Sequence, residues 1–228
     1  MAVVPSVTDH TCAIAASYEA KRFGIKTGTK IHEAKRLCPQ LVCVLARHDL
    51  YVKLHHQIFS IIEKFIHVDK ICSIDEAACR LFIGERDEAS ARALSLEIKK
   101  ALYDHYGSAI TCSIGLAPTK LLAKIAADYQ KPDGLTVFKP REYHKQLFKL
   151  ALSDLPGIGA NMQKRLFRSG VFSIEKLWDL SPKHARKIWR SVEGERFWFK
   201  LRGYDIPDLE TSKRVIGHSR VLDPDARD

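Results

Sequence analysis

The chain divides near Leu152. Ahead of that point, apolar runs of strand length alternate with segments whose apolar side chains recur every three or four positions. Beyond it only helical segments follow, joined by glycine and proline turns. Strands alternating with helices build an α+β layer, and helices alone build a bundle. The order therefore predicts an α+β body followed by an all-helical one.

In the first part, Val3 and Val4 precede a turn-rich stretch at 5–10 and a small apolar run at 11–16, a pattern expected of two paired strands. Helices are expected over 19–23, stopped by Gly24, and over 30–37, stopped at Cys38 because Pro39 restricts the residue before it. A strand at 41–45 follows, then a helix at 49–65 with Leu54, Ile58, Ile61, Ile62 and Phe65 on one face, then a strand pair at 70–82. A helix at 89–106, a strand at 109–115, a helix at 118–129 and a short strand at 135–138 complete this part.

The 228 residues carry 37 Lys and Arg against 27 Asp and Glu, a net charge of +10. Residues 1–138 account for +3, whereas residues 139–220 hold 18 basic and nine acidic groups, net +9. Charge concentrated in this way suits a polyanionic partner, and equally a plain solvated basic face. With 46% apolar and 28% charged residues the chain is neither disordered, collagen-like nor coiled coil. No apolar run approaches the roughly 20 residues of a membrane span, and the start lacks a secretory pattern. The expected location is cytoplasmic, nucleoid-associated in a bacterium, with no membrane partner. Cys12, Cys38, Cys43, Cys72, Cys79 and Cys112 form no C-x-x-C pair and are expected to be reduced core thiols.

Two motifs carry chemistry. Asp75 and Glu76 are adjacent acids in a β-prone stretch, Ser73-Ile74-Asp75-Glu76-Ala77. Two carboxylates side by side repel, and divalent cations would relieve that cost while serving phosphoryl transfer. The same pair at the tip of a surface turn would be two solvated acids. The second motif, Leu155-Pro156-Gly157-Ile158-Gly159, lies between helical stretches, with Lys164, Arg165 and Arg168 on the helix that follows. Its glycines free the backbone to present amides to a phosphate, as in a helix-hairpin-helix that grips DNA without reading sequence; a plain pair of antiparallel helices is the alternative. Trp178, Trp189, Phe197 and Trp198 recur at helical spacing and are expected in the core.

With these motifs in place, the chain resembles the Y-family, DinB/UmuC-like, translesion DNA polymerases over nearly its whole length. The resemblance rests on Ala16-Ser17-Tyr18-Glu19-Ala20-Lys21 with Phe23-Gly24-Ile25-Lys26-Thr27-Gly28, on Glu33-Ala34-Lys35-Arg36-Leu37-Cys38-Pro39, and on the Asp75-Glu76 block. It continues through the run from Ser113 to Ala126, Lys131-Pro132-Asp133-Gly134 and the Gly157-Ile158-Gly159 hairpin. It implies an α+β, right-hand polymerase-like palm with small fingers, followed by an all-helical helix-hairpin-helix thumb. Residues 1–66 would be fingers with adjoining strands, 67–150 the palm, 151–210 the thumb and 211–228 a linker toward a little finger domain.

The resemblance also implies roles. Asp75 and Glu76 would hold the two Mg²⁺ ions of nucleotidyl transfer to a primer 3′-hydroxyl. Tyr18, Lys21 and Lys131 would contact the incoming deoxynucleoside triphosphate, and Gly157, Ile158, Gly159, Lys164 and Arg165 the primer-template DNA. A sliding clamp would be reached through a C-terminal region beyond this chain. Lys21 stands where the family usually has Arg, so a bidentate phosphate clamp is lost unless Arg22 supplies it. Thr119 replaces a usual Asn. The family's opening strand, with Asp-x-Asp-x-Phe-Phe, supplies a third carboxylate and a gate against ribose, and nothing here matches it; Asp9, in the turn of the first strand pair, is not expected to substitute. The chain is thus expected to be a shortened polymerase with weak or no activity on its own. A non-catalytic damaged-DNA-binding paralogue acting as a repair scaffold is the alternative, and a helix-hairpin-helix nuclease or structural DNA-binding protein is a third that leaves residues 1–150 without a role.

Overall fold

Ala2, Val3 and Val4 form β1 (Ala2–Val4), with Ala2 and Val4 buried. It pairs antiparallel with β2 (Ala15–Ala16) and parallel with β3 (Cys43–Leu45), in the order β2-β1-β3. The expected second strand at 11–16 is cut to two residues because its first half binds a different segment: Cys12 bridges to Lys30, and Ala13 exchanges backbone hydrogen bonds with Thr29 and Gly28 (2.9 and 2.8 Å). Here a computed structural model describes residues 1–208, 215 and 217, so the expected linker at 211–228 lies outside the described residues apart from Val215 and Gly217.

Helix α1 (Tyr18–Arg22) is capped by Ser17, whose hydroxyl accepts from the Ala20 amide (3.4 Å), and ends before Gly24, where φ is +83°. Helix α2 (Ile31–Leu37) stops at Cys38 as Pro39 requires. Together with β1 these helices enclose Ala13, Ala20, Ile25, Ile31, Ala34 and Leu41, a core of mostly small side chains. The chain forms two units, and the boundary between Met1–Leu54 and His55–Leu209 falls inside α3 (His48–Ile62). This helix stops three residues before the expected end because the amides of Lys64 and Phe65 bond three residues back, to Ile61 and Ile62, tightening the last turn.

In the second unit, β4 (Val68–Ile71) and β5 (Ala77–Cys79) form an antiparallel hairpin. Helix α4 (Glu88–Tyr106) starts at Asp87, whose carboxylate accepts from the Ser90 amide (2.9 Å). Strand β6 (Ile114–Leu116) leads into α5 (Lys120–Tyr129) and returns parallel as β7 (Leu135–Val137). Gly115 allows this unit to close: a Cβ there would lie 2.0 Å from the Ala123 carbonyl oxygen, so only glycine lets α5 rest on β6.

Helices α6 (His144–Leu147), α7 (Ala160–Arg168), α8 (Ile174–Trp178), α9 (Pro182–Trp189) and α10 (Val192–Leu201) follow among the described residues. One core runs from Leu122 and Ile125 on α5 through Phe138 and Leu147 to Leu166, Ile174 and Leu201. Each fully buried Leu or Ile contributes about 1.5–3 kcal/mol of transfer free energy. Trp178, Trp189 and Phe197 are partly buried and pack against this core, as their spacing predicts, whereas Trp198 lies outside the cluster, half-buried, and donates its indole N–H to the Leu180 carbonyl. A smaller cluster gathers Ile66, Ile98 and Leu102. The cysteines depart from expectation. All six are free thiols, but only Cys38 is buried, and Cys72 and Cys79 are exposed on the hairpin because a two-stranded ribbon has too little sheet to cover both its faces.

Candidate active site

Asp75 and Glu76 lie in the loop joining β4 to β5, not within a strand as the β-prone stretch suggests. The loop closes because the amides of Cys72 and Ser73 both donate to the Glu76 carbonyl (2.8 and 3.1 Å), leaving the acids at the tip. His55 on α3 supports it: its Nδ1 is 2.7 Å from the Ile74 carbonyl, which can only accept, so that nitrogen carries the proton. Asp75 is exposed, and its Oδ1 accepts from the Ser73 hydroxyl (2.7 Å). Glu76 is half-buried and pairs with the Lys124 ammonium.

That pair opens a row of alternating charge. Lys124 also reaches Asp128 (3.2 Å), one turn along α5, and Asp128 holds Lys131 (2.5 Å). The expected metal carboxylate Glu76 and the expected triphosphate ligand Lys131 thus share one ionic network. Burial draws Lys124 down, but Glu76 and Asp128 more than offset it and leave the ammonium more basic than an ordinary lysine. The turn carrying Lys131 is fixed by Lys99, whose ammonium donates to the Cys112 carbonyl (2.6 Å), the Asp133 carbonyl (2.9 Å) and the Asp133 carboxylate. Sequence reading gave Lys99, Lys124 and Asp128 no role. Only the Lys124/Asp128 pair left a local signal, its four-residue spacing on a helix.

For a metal, Asp75 and Glu76 offer two carboxylates, one of them in an ion pair. Among the described residues, no group of three or more His, Cys, Asp or Glu side chains stands ready to hold an ion. Two ions bridging phosphates need more oxygen donors than this pair supplies, so the described residues do not by themselves fit a two-metal centre. Asp9, exposed, is paired with Lys35 (2.5 Å) within the first unit. In the same unit Tyr18 and Lys21 share one exposed face of α1, the ammonium 4.5 Å from the ring centroid, with Arg22 exposed beside them.

The hairpin forms as its glycines predict. Gly157 has φ +86°, and Ile158 is buried, its amide bonded to the Leu155 carbonyl (3.0 Å). Gly159 is the N-cap of α7 and has no side chain to offer, whereas α1, α4, α5, α8, α9 and α10 are capped by Ser, Thr or Asp. The first amides of α7 therefore open on an uncluttered surface, with exposed Lys164 one turn along and exposed Arg168 at the far end of the helix. Arg165 differs from expectation. It turns inward and donates to the carbonyls of Ile188 and Trp189 (3.4 and 3.0 Å), because the C-terminal end of α9 leaves those acceptors open.

A model of the impB/mucB/samB family matches residues 1–128, more than half of the chain. A DNA polymerase IV of Moorella thermoacetica is 40% identical over 230 residues, covering 96% of this chain and 56% of that protein. A Y-family DNA polymerase chimera of Dbh and Dpo4 is similar in structure, with a TM-score of 0.78 and 27% identity, covering 93% of this chain and 63% of the other. The chain belongs to the Y-family of DNA polymerases. This Y-family chain is also similar to DinB from Sulfolobus solfataricus, with a TM-score of 0.75 and 29% identity, covering 90% of the one and 60% of the other. Its α+β architecture is that of the Y-family. It spans a little over half the length of the curated Y-family relatives it matches.

Proposed function

We propose that the chain is the fingers, palm and thumb portion of a template-directed translesion DNA polymerase acting in damage tolerance and repair. Its partners in this reading are primer-template DNA and a deoxynucleoside triphosphate. The observation that carries the proposal is the row Glu76, Lys124, Asp128, Lys131, which joins an acidic loop tip to a lysine suited to a polyphosphate. A triphosphate draws Lys131 from Asp128, since it offers more negative charge than one carboxylate. In the first unit, Tyr18 and Lys21 offer a ring and a point charge of the kind that suits a nucleotide's phosphates. Gly157 and Gly159 let backbone amides approach a DNA phosphate, with Lys164 beside them. Asp75 and Glu76 are the carboxylates the chain contributes toward divalent metal, Mg²⁺ by preference for oxygen donors.

A second reading is favoured by the absence, among the described residues, of a third acidic side chain grouped with Asp75 and Glu76: a DNA-binding family member that extends no primer and holds other repair proteins on damaged DNA. Primer extension by this chain with Mg²⁺ on an undamaged and on a lesion-bearing template separates the two. The polymerase reading expects template-directed incorporation that Asp75→Ala abolishes while DNA affinity is kept. DNA binding without incorporation selects the second reading, and failure to bind DNA overturns both.

A further inference from the structure

Three lysines from distant parts of the second unit converge on one carboxylate. Asp208 Oδ1 accepts from Lys200 on α10 (2.8 Å), and Oδ2 accepts from Lys70 on β4 (2.6 Å) and from Lys120, the first residue of α5. The site is built rather than casual. Thr119, buried, caps α5 by accepting from the Leu122 amide (3.2 Å) and donates its hydroxyl to the Lys200 carbonyl (3.0 Å), so two of the lysines are held on one base. Asp208 arrives on a short strap with two further tethers: Asp205 binds Arg80 on β5's margin (2.7 Å), and the Pro207 carbonyl accepts from Arg196.

The stoichiometry is unusual for a structural ion pair. Among the described residues, three ammonium groups meet one negative charge, a balance that leaves two surplus positive charges repelling one another. Hydrogen bonds from Lys120, Lys200 and Lys70 hold the Asp208 carboxyl far below the ordinary carboxylate range. A phosphodiester presents the same face as Asp208, one negative charge shared by two outward oxygens, and in a polymer its neighbours answer the surplus charge as well. Exposed carboxylate pairs are weak enough to exchange.

We infer that Lys70, Lys120 and Lys200 form a binding site for a backbone phosphate of DNA, which Asp208 occupies from within the chain and yields when DNA takes the site. The inference rests on the DNA-binding function proposed above and adds a contact and its internal competitor. It makes the strap at 205–208 a latch: closed by its own carboxylate, open when DNA is held.

The test is the affinity of the full chain for duplex DNA of random sequence, read by fluorescence anisotropy over a salt series. Asp208→Asn is compared with Asp104→Asn, which removes the same charge from an exposed pair with Lys100 on α4. Asp208→Asn is expected to bind about five- to tenfold more tightly than the parent chain, with a salt slope steeper by about one phosphate contact. Asp104→Asn should shift affinity less than about twofold. Replacing Lys70, Lys120 and Lys200 by Gln in the Asp208→Asn chain should abolish the gain. Equal effects of the two Asp substitutions, a loss of affinity in Asp208→Asn, or a gain that survives lysine removal would overturn the latch while leaving DNA binding intact. No binding by any of these chains would overturn the functional reading as well.

Discussion

Arg202 shows how one residue can tie two helices together. Its guanidinium carbon lies 3.6 Å from the Trp198 ring centroid and 4.6 Å from that of Trp178, and it donates to the carbonyls of both residues, at 3.2 Å for Trp198. Burial draws its pKa down to about 10, which still leaves it cationic at neutral pH. Arg202→Met should cost about 2–3 kcal/mol, the sum of a desolvated cation–π contact and charged hydrogen bonds, read as a lower urea midpoint by tryptophan fluorescence. Arg202→Lys should restore only part of it, because an ammonium cannot lie flat between two rings. Asp208 gives the pH dependence at this scale. Its folded-state pKa lies below its unfolded value, so its contribution is present above about pH 4 and is lost as pH falls further. The difference in melting temperature between the parent chain and Asp208→Asn should be flat from pH 5 to 8 and shrink below about pH 4. It should stay small, since exposed pairs contribute at most about 1 kcal/mol. None of this was legible in the sequence. Asp75 and Glu76 stood out because they are neighbours; Arg202 and Asp208 find their partners only in space.

At the scale of the element, the hairpin before α7 joins a backbone requirement to a surface one. Gly157 needs its positive φ, whereas Gly159 sits at an ordinary φ of −77° with nothing within 4 Å of a would-be Cβ. Gly159→Ala should therefore cost the fold about 1 kcal/mol or less as a poorer N-cap. If the hairpin grips DNA as proposed, the substitution should lower DNA affinity several-fold, because the new methyl would stand in the way of a phosphate at the α7 amides. Anisotropy with a labelled duplex measures the second effect and thermal melting the first; an unchanged affinity would refute the hairpin as a DNA grip. The turn was readable because P-G-I-G constrains the chain over four residues. That Arg165 leaves this surface was not, since the acceptors that draw it inward lie 23 and 24 residues further along.

For the whole molecule, the uneven charge is the governing feature. On the DNA-binding function proposed above, a surplus of +9 in residues 139–220 would meet phosphates without reading bases, so DNA affinity should fall steeply and log-linearly with salt and vary little with sequence. If six phosphates are neutralised, raising salt from about 50 to 200 mM should weaken binding by about a thousandfold. A shallow slope, or a preference for one sequence, would mean that the basic face has another use.

Order and kind of element were set by the sequence alone: strands alternating with helices as far as β7, helices after it, with breaks at Gly24, Cys38-Pro39 and Gly157. Those features depend on hydrogen bonds and steric limits acting within a few residues, so a short window carries them. Which charges meet was decided only by the tertiary structure. Glu76 finds Lys124 across 48 positions, Lys70 finds Asp208 across 138, and Arg165 faces α9 instead of solvent. Coulomb attraction and desolvation follow distance through space, and separation along the chain does not encode that distance until the fold brings the groups together.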